Sequence, residues 1–131
     1  MSTDEHARPE GTSDSAVRAA GLMSEALERV ERARGALYDA HQLIGGADAA
    51  LDEVAEALRD SGFDELADGL RRELVGLDVL EGRWTFQVVE EFDGGYYAAW
   101  LAWERRVREA TVAGRRHVAE SEMKTDRQSR A

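Results

Sequence analysis

The sequence predicts an all-α fold, an antiparallel up-down bundle of about four helices. Three observations support this prediction. The single proline of the 131 residues is Pro9, so the rest of the chain contains nothing that forbids long helices. The strong helix formers Ala, Leu, Arg and Glu dominate the composition. Apolar residues recur at spacings of three and four along most of the chain, which is the period of one helix face.

The chain divides into three parts by composition. Residues 1–13 are polar and contain Pro, Gly, Ser and Thr, so we expect a disordered leader. Residues 14–121 carry the periodic pattern and are long enough to form one helical domain. The pattern is lost from residue 122 onward, and we expect residues 122–131 to form a frayed polar tail.

The first predicted helix covers residues 14–44 and has a seven-residue apolar repeat typical of a coiled-coil-like seam. Gly45-Gly46 should end this helix, because adjacent glycines favour a turn. The small alanine row would let a neighbouring helix approach closely. The two rows are Ala16, Met23, Val30, Leu37 and Ile44, and Ala19, Ala26, Ala33 and Ala40.

Three further helices are predicted. A short second helix should cover residues 48–60, with Gly62 as the glycine beyond its end. The third should be capped by Asp64 and run to Phe92, with Gly76 and Gly82 as points where it could kink or break. Short connections make consecutive helices antiparallel neighbours.

The fourth predicted helix begins near Gly95, after a turn at Asp93-Gly94-Gly95, and ends near Ser121. All three Trp lie between residues 83 and 103, and we expect these aromatic residues to fill the core of a helical hairpin. A competing interpretation makes Trp84, Phe86 and Val88 the inward residues of a short strand.

Composition also excludes several classes of protein. The chain has no Cys, so it has no disulfide and no thiolate metal site. It has no apolar run long enough for a transmembrane helix and no apolar signal segment, which together favour the cytoplasm. The net charge of -10 disfavours nucleic-acid binding. We expect the basic residues of the last helix to face solvent and pair with the acidic second helix.

One end of the predicted bundle brings together residues that could bind a small ligand, namely Tyr38, His41, Glu90, Glu91 and Tyr96. Among them, His41, Glu90 and Glu91 could bind a divalent metal ion. The simpler interpretation is that these residues are ordinary surface, since bundle metal sites normally contain Glu-x-x-His pairs and none occurs here. No catalytic residues are predicted.

Three stretches resemble a group of short, uncharacterised helical proteins from actinobacteria. They are residues 38–46 (YDAHQLIGG), residues 80–91 (LEGRWTFQVVEE) and residues 115–118 (RRHV). The resemblance covers most of residues 36–124, and the near-absence of Lys beside sixteen Arg (17 basic residues minus Lys124) suits a GC-rich genome. It implies a source and supplies no activity.

Two function classes remain at this point. The first is a non-enzymatic interaction or regulatory module that binds a protein partner or a second copy of itself, without a cofactor. The alternative is a bundle that binds a small ligand or a divalent metal near His41 and residues 90–97.

Overall fold

The computed structural model describes residues 4–129, and its regular structure is helical. In chain order, the elements are α1 Asp14–Asp60, α2 Asp64–Glu73, α3 Thr85–Phe92, a π-helical turn Asp93–Tyr97, α4 Ala98–Val112 and α5 Val118–Gln128. Because α3, the π-helical turn and α4 follow one another without a gap, the described residues contain four uninterrupted helical stretches.

The all-α prediction is therefore confirmed, while the antiparallel up-down order stays a prediction. Between residues 4 and 129 there is no β-strand, apart from one isolated bridge between Leu80 and Arg83. Phe86 and Val88 lie in α3, so the strand alternative for this segment is wrong. None of the helices in the described part of the chain is long and apolar enough to cross a membrane.

The first helix is longer than predicted, because α1 continues through Gly45-Gly46 and reaches Asp60 after 47 residues. The predicted break is wrong, and the expected second helix is the carboxyl-terminal part of α1. Glycine in a helix costs about 1 kcal/mol relative to alanine but does not forbid the helix. The helix ends at Asp60, and Gly62, with a φ of +85°, is the glycine beyond its end, as predicted.

The end of α1 has the hydrogen bonds of a Schellman motif. Phe63 N–H donates to Leu58 O at 2.8 Å, and Gly62 N–H donates to Arg59 O at 3.0 Å. Phe63 also occupies the N-cap of α2, so Asp64 is the first residue of that helix and does not cap it.

The predicted third helix is two helices, because the chain leaves helical geometry between Glu73 and Thr85. Gly76 and Gly82 both adopt positive φ, which glycine reaches without a steric penalty. Asp48 on α1 holds this segment by accepting a 2.7 Å hydrogen bond from Gly76 N–H. The weak points in the sequence therefore mark the interruption.

The last two predicted boundaries also differ from the structure. Asp93-Gly94-Gly95 does not end a helix but forms part of the π-helical turn. The fourth helix ends at Val112, before Ala113 and Gly114 take positive φ. The chain then forms α5 where we expected the frayed tail.

Residues 4–13, expected to be disordered, form turns that contact the end of the chain. Arg8 donates to both carboxylate oxygens of Glu122, at 3.0 and 2.7 Å, and to Asp14 at 2.6 Å. His6 Nδ1 lies 2.7 Å from Arg116 O. The division into leader, domain and tail itself stays a prediction.

The chain forms two compact units. We call Ala33–Gly95 the middle unit, and the remaining residues the terminal unit. The boundaries between the units fall inside α1 and inside the π-helical turn.

The terminal unit has a small core where α1, α4 and α5 meet, with Ala119 packed against it. A Cβ added at Gly21 on α1 would lie 2.9 Å from Ala119 Cβ, so α1 and α5 approach closely there. The core residues are Val17, Ala20, Val112 and Val118.

The middle unit buries even smaller side chains. Ala55 on α1 and Ala67 on α2 are completely buried, and Val89 on α3 is nearly so. The predicted aromatic core is wrong, since Trp84 and Trp100 are only half-buried and Trp103 is 55% exposed.

Candidate functional site

In the middle unit, His41 on α1 binds the first residue of α3. His41 Nδ1 lies 3.0 Å from Thr85 Oγ1, and the Thr85 hydroxyl donates to His41 O at 3.2 Å. Both contacts are satisfied when Nδ1 carries the proton and donates to the hydroxyl oxygen. Thr85 is 4% exposed, so this pair fixes α3 against α1.

Next to His41, an ion pair joins α1 to the π-helical turn. Arg34 Nε and Nη2 donate to the two carboxylate oxygens of Asp93 at 2.7 and 3.0 Å, which is the bidentate geometry preferred by arginine. The Arg34 guanidinium carbon also lies 4.9 Å from the centre of the Tyr38 ring. Tyr38 in turn meets the His41 ring edge-on, with a centroid distance of 6.3 Å.

This ion pair changes the acidity of Asp93. The Arg34 guanidinium, by hydrogen bonding and then by charge, holds the pKa of the Asp93 carboxyl below its usual value, against the opposing effect of partial burial. Asp93 therefore stays ionised and keeps its two hydrogen bonds in mildly acidic solution.

Of the five predicted ligand residues, the structure brings Tyr38 and His41 together. Glu91 instead pairs with Arg83, and Glu90 is exposed. Tyr96 belongs to the terminal unit, where its ring lies 6.2 Å from that of Trp100. Between residues 4 and 129 no three His, Asp or Glu side chains are grouped so that they could hold a metal ion.

The Thr85 hydroxyl lies within hydrogen-bonding distance of both His41 Nδ1 and His41 O. When that hydroxyl donates to the carbonyl, it does not donate to the imidazole as an activated nucleophile would. The contacts of His41, Tyr38, Arg34, Thr85 and Asp93 connect α1 with α3 and the π-helical turn. The ligand-site hypothesis stays a prediction.

The sequence analysis missed a buried ion pair on α4. Glu104 and Arg108 are 5% and 8% exposed, and Arg108 Nε donates to Glu104 Oε1 at 2.7 Å. Arg108 Nη1 also donates to Gly114 O at 2.7 Å, and Ser24 Oγ on α1 donates to Glu104. The spacing of four residues, with Glu first, was a readable signal for an ion pair but not for its burial.

Among the described residues, few of the large apolar side chains are fully buried. The buried apolar residues between positions 4 and 129 are five Val and three Ala. Leu43, Leu77 and Phe63 are 73%, 58% and 57% exposed. Thirteen other large apolar residues between positions 4 and 129 are 37% to 60% exposed. Leu, Ile and Phe are normally among the most buried residue types.

Part of this exposed surface forms a groove in the middle unit, which we call the acidic groove. One wall is the α1 face formed by Ile44, Ala47, Asp48 and Leu51. The other residues come from the segment that joins α2 to α3, and the groove has a volume of about 340 Å³. The residues from this segment are Leu74, Leu77, Asp78, Val79 and Trp84.

The terminal unit has a second, more aromatic depression of about 270 Å³, lined by Met23, Tyr96, Ala99, Trp100 and Trp103. The guanidinium of Arg106 lies 4.6 Å from the centre of the Trp103 ring and covers one face of it.

Comparisons with protein-family models, with curated proteins and with solved structures found no match for this chain.

Proposed function

We propose that this protein is a non-enzymatic interaction module, which covers its exposed apolar side chains by binding another protein chain. The observation that carries the proposal is the exposure of sixteen large apolar residues between positions 4 and 129, where the buried apolar residues are Val and Ala. Where such residues lie together, as they do along the acidic groove and the aromatic depression, exposed apolar surface typically marks a binding surface in a folded protein.

Burial of the exposed apolar side chains by a partner would contribute free energy to binding. Fully burying a Leu or Phe side chain contributes about 1.5–3 kcal/mol relative to leaving it in water. The apolar side chains at both depressions are exposed in the free chain, so a partner that covers them would bury them and stabilise the complex by this free energy. A second copy and a different protein are both candidate partners, and the absence of Cys agrees with a reducing cytoplasm.

The test combines sedimentation velocity with binding of the dye ANS, while near-ultraviolet circular dichroism confirms fixed tertiary packing. We expect the free folded chain to bind ANS, or to associate as its concentration rises and lose ANS binding in parallel. A chain that is folded, monomeric at every concentration and unable to bind ANS would contradict the proposal.

A further inference from the structure

We propose that the acidic groove of the middle unit binds a basic amphipathic helix of a partner protein. This inference rests on the proposed interaction function and adds the binding surface and the chemistry of the partner.

The shape of the α1 wall is the first argument. Ile44, Ala47, Asp48 and Leu51 stand at positions i, i+3, i+4 and i+7, so they form one continuous stripe over two turns of the helix. Leu77, which is 58% exposed, and Leu74, which is 45% exposed, line the same groove. An amphipathic helix that binds in a groove contacts exposed apolar residues at this helical spacing.

The charge of the unit is the second argument. The middle unit contains 15 acidic and 5 basic residues, and 5 minus 15 gives -10, which is the net charge of the whole chain. The terminal unit contains 12 of each. The net charge of the terminal unit is therefore zero, and the net negative charge of the chain comes from the unit that carries this groove.

Most of the bases of the middle unit already form ion pairs within the unit, so its excess of acidic residues is left to interact with a partner. Four of the five Arg pair with acids inside the unit, through Arg34–Asp93, Arg59–Asp68, Arg71–Asp52 and Arg83–Glu91. Asp78 lines the groove, is exposed, and makes no ion pair with any residue between positions 4 and 129. Basic side chains beside a partner's apolar stripe would find complementary charge there.

A second copy of the chain fits this groove less well than a basic helix does. The middle unit of a second copy has the same charge of -10, which opposes a like-charged neighbour. On α4, Arg105 and Arg108 are paired with Glu109 and Glu104, and Arg106 stacks on Trp103. Arg108 is buried, and the two exposed basic residues of α4, Arg105 and Arg106, therefore already have contacts within their own chain.

The experiment uses the full chain and a fluorescent helical peptide of about 15 residues, a length at which a peptide helix becomes stable. The peptide has Leu at positions i, i+3, i+4 and i+7 and Arg elsewhere. A scrambled peptide of the same composition and a peptide with Glu in place of Arg are its controls. We expect the basic amphipathic peptide to bind, more weakly as salt is raised from about 0.1 to 1 M, and both controls to bind at least about tenfold more weakly.

Variants of the protein locate the peptide. Leu77→Glu and Asp78→Lys change groove residues that are exposed, so the fold should survive, and each should weaken binding by about tenfold or more. The matched controls are Leu43→Glu, at a position that is 73% exposed and outside the groove lining, and Glu56→Lys, on an exposed part of α1. Both controls should bind the peptide as the unchanged protein does.

The outcomes separate this inference from the proposed function. Equal binding by Leu77→Glu, or by the Glu-containing peptide, would overturn the acidic groove but leave another interaction surface standing. Failure of the unchanged protein to bind the peptide would also overturn it. In that case a concentration-dependent mass would show that a second copy is the partner, whereas a monomer without ANS binding would overturn the interaction function too.

Discussion

Glu104 and Arg108 show how a single pair of charges stabilises the terminal unit. Replacing Glu104 by Ala should lower the free energy of unfolding by about 3–5 kcal/mol, because Arg108 would stay buried without its carboxylate. The matched control is Glu109→Ala, which removes an exposed pair with Arg105 on the same helix and should cost about 0.5 kcal/mol. Urea unfolding of both variants measures the difference, and equal losses would contradict the structural role of burial.

Arg34 and Asp93 allow a test at the level of one pKa. In Arg34→Ala, the pKa of Asp93 should rise toward its usual value of about 3.9, because the hydrogen bonds and the positive charge are lost. The folded pKa of Asp93 lies below the unfolded one, so the pair stabilises the protein above the unfolded pKa. That stability is lost as the pH falls through the folded pKa.

Carboxyl titration by NMR checks this expectation residue by residue. Asp68 is the internal control, because the Arg59 guanidinium lowers its pKa by the same kind of contact. Its pKa should not change in Arg34→Ala. An unchanged pKa of Asp93 in the variant would show that the ion pair is not formed in solution.

At the scale of helices, the glycines provide a test of how α1 is built. Gly45→Ala and Gly46→Ala should each raise the free energy of unfolding by about 0.5–1 kcal/mol, since an added Cβ meets no atom within 4 Å at either position. Gly62→Ala should have the opposite effect, because φ is +85° there. Thermal and urea unfolding compare the three, and destabilisation by Gly45→Ala would indicate a turn in place of the continuous helix.

These same positions explain what could be predicted from the sequence. The all-α class was predictable because the apolar period of a helix extends over most of the chain. The Gly62 ending was predictable because a glycine followed by Phe63 matches a known local motif. The continuity of α1 through Gly45-Gly46 was not predictable. Two glycines lower the stability of a helix by about 2 kcal/mol relative to alanine, and the sequence does not show whether packing contacts offset that loss.

The candidate site was less predictable for a related reason. Tyr38 and His41 are neighbours on one helix, so their proximity follows from spacing alone. The contacts of His41 with Thr85 and of Arg34 with Asp93 span 44 and 59 residues, and they depend on where α3 begins. The sequence prediction brought Glu90 and Glu91 to His41 by a different argument, because an up-down order of helices places the turn after Phe92 at the same end as the end of the first helix.

At the scale of the whole molecule, folding and binding should depend on different apolar residues. Val112→Ala and Val89→Ala, at positions that are 1% and 5% exposed, should each cost about 2 kcal/mol of stability through lost burial and a residual cavity. Leu43→Gln and Leu77→Gln change larger side chains, yet each should shift the free energy of unfolding by no more than about 0.5 kcal/mol, because both residues are already more than half exposed to water. Urea unfolding of the four variants measures this contrast.

The same four variants also separate the two roles of the apolar residues. If the large exposed side chains belong to a binding surface, the substitution of Leu77 should reduce ANS or peptide binding while the two valine variants, studied where they remain folded, retain it. A loss of stability in Leu77→Gln as great as in Val112→Ala would mean that the free chain already buries Leu77. The exposed apolar surface that supports an interaction function would then be smaller than the structure indicates.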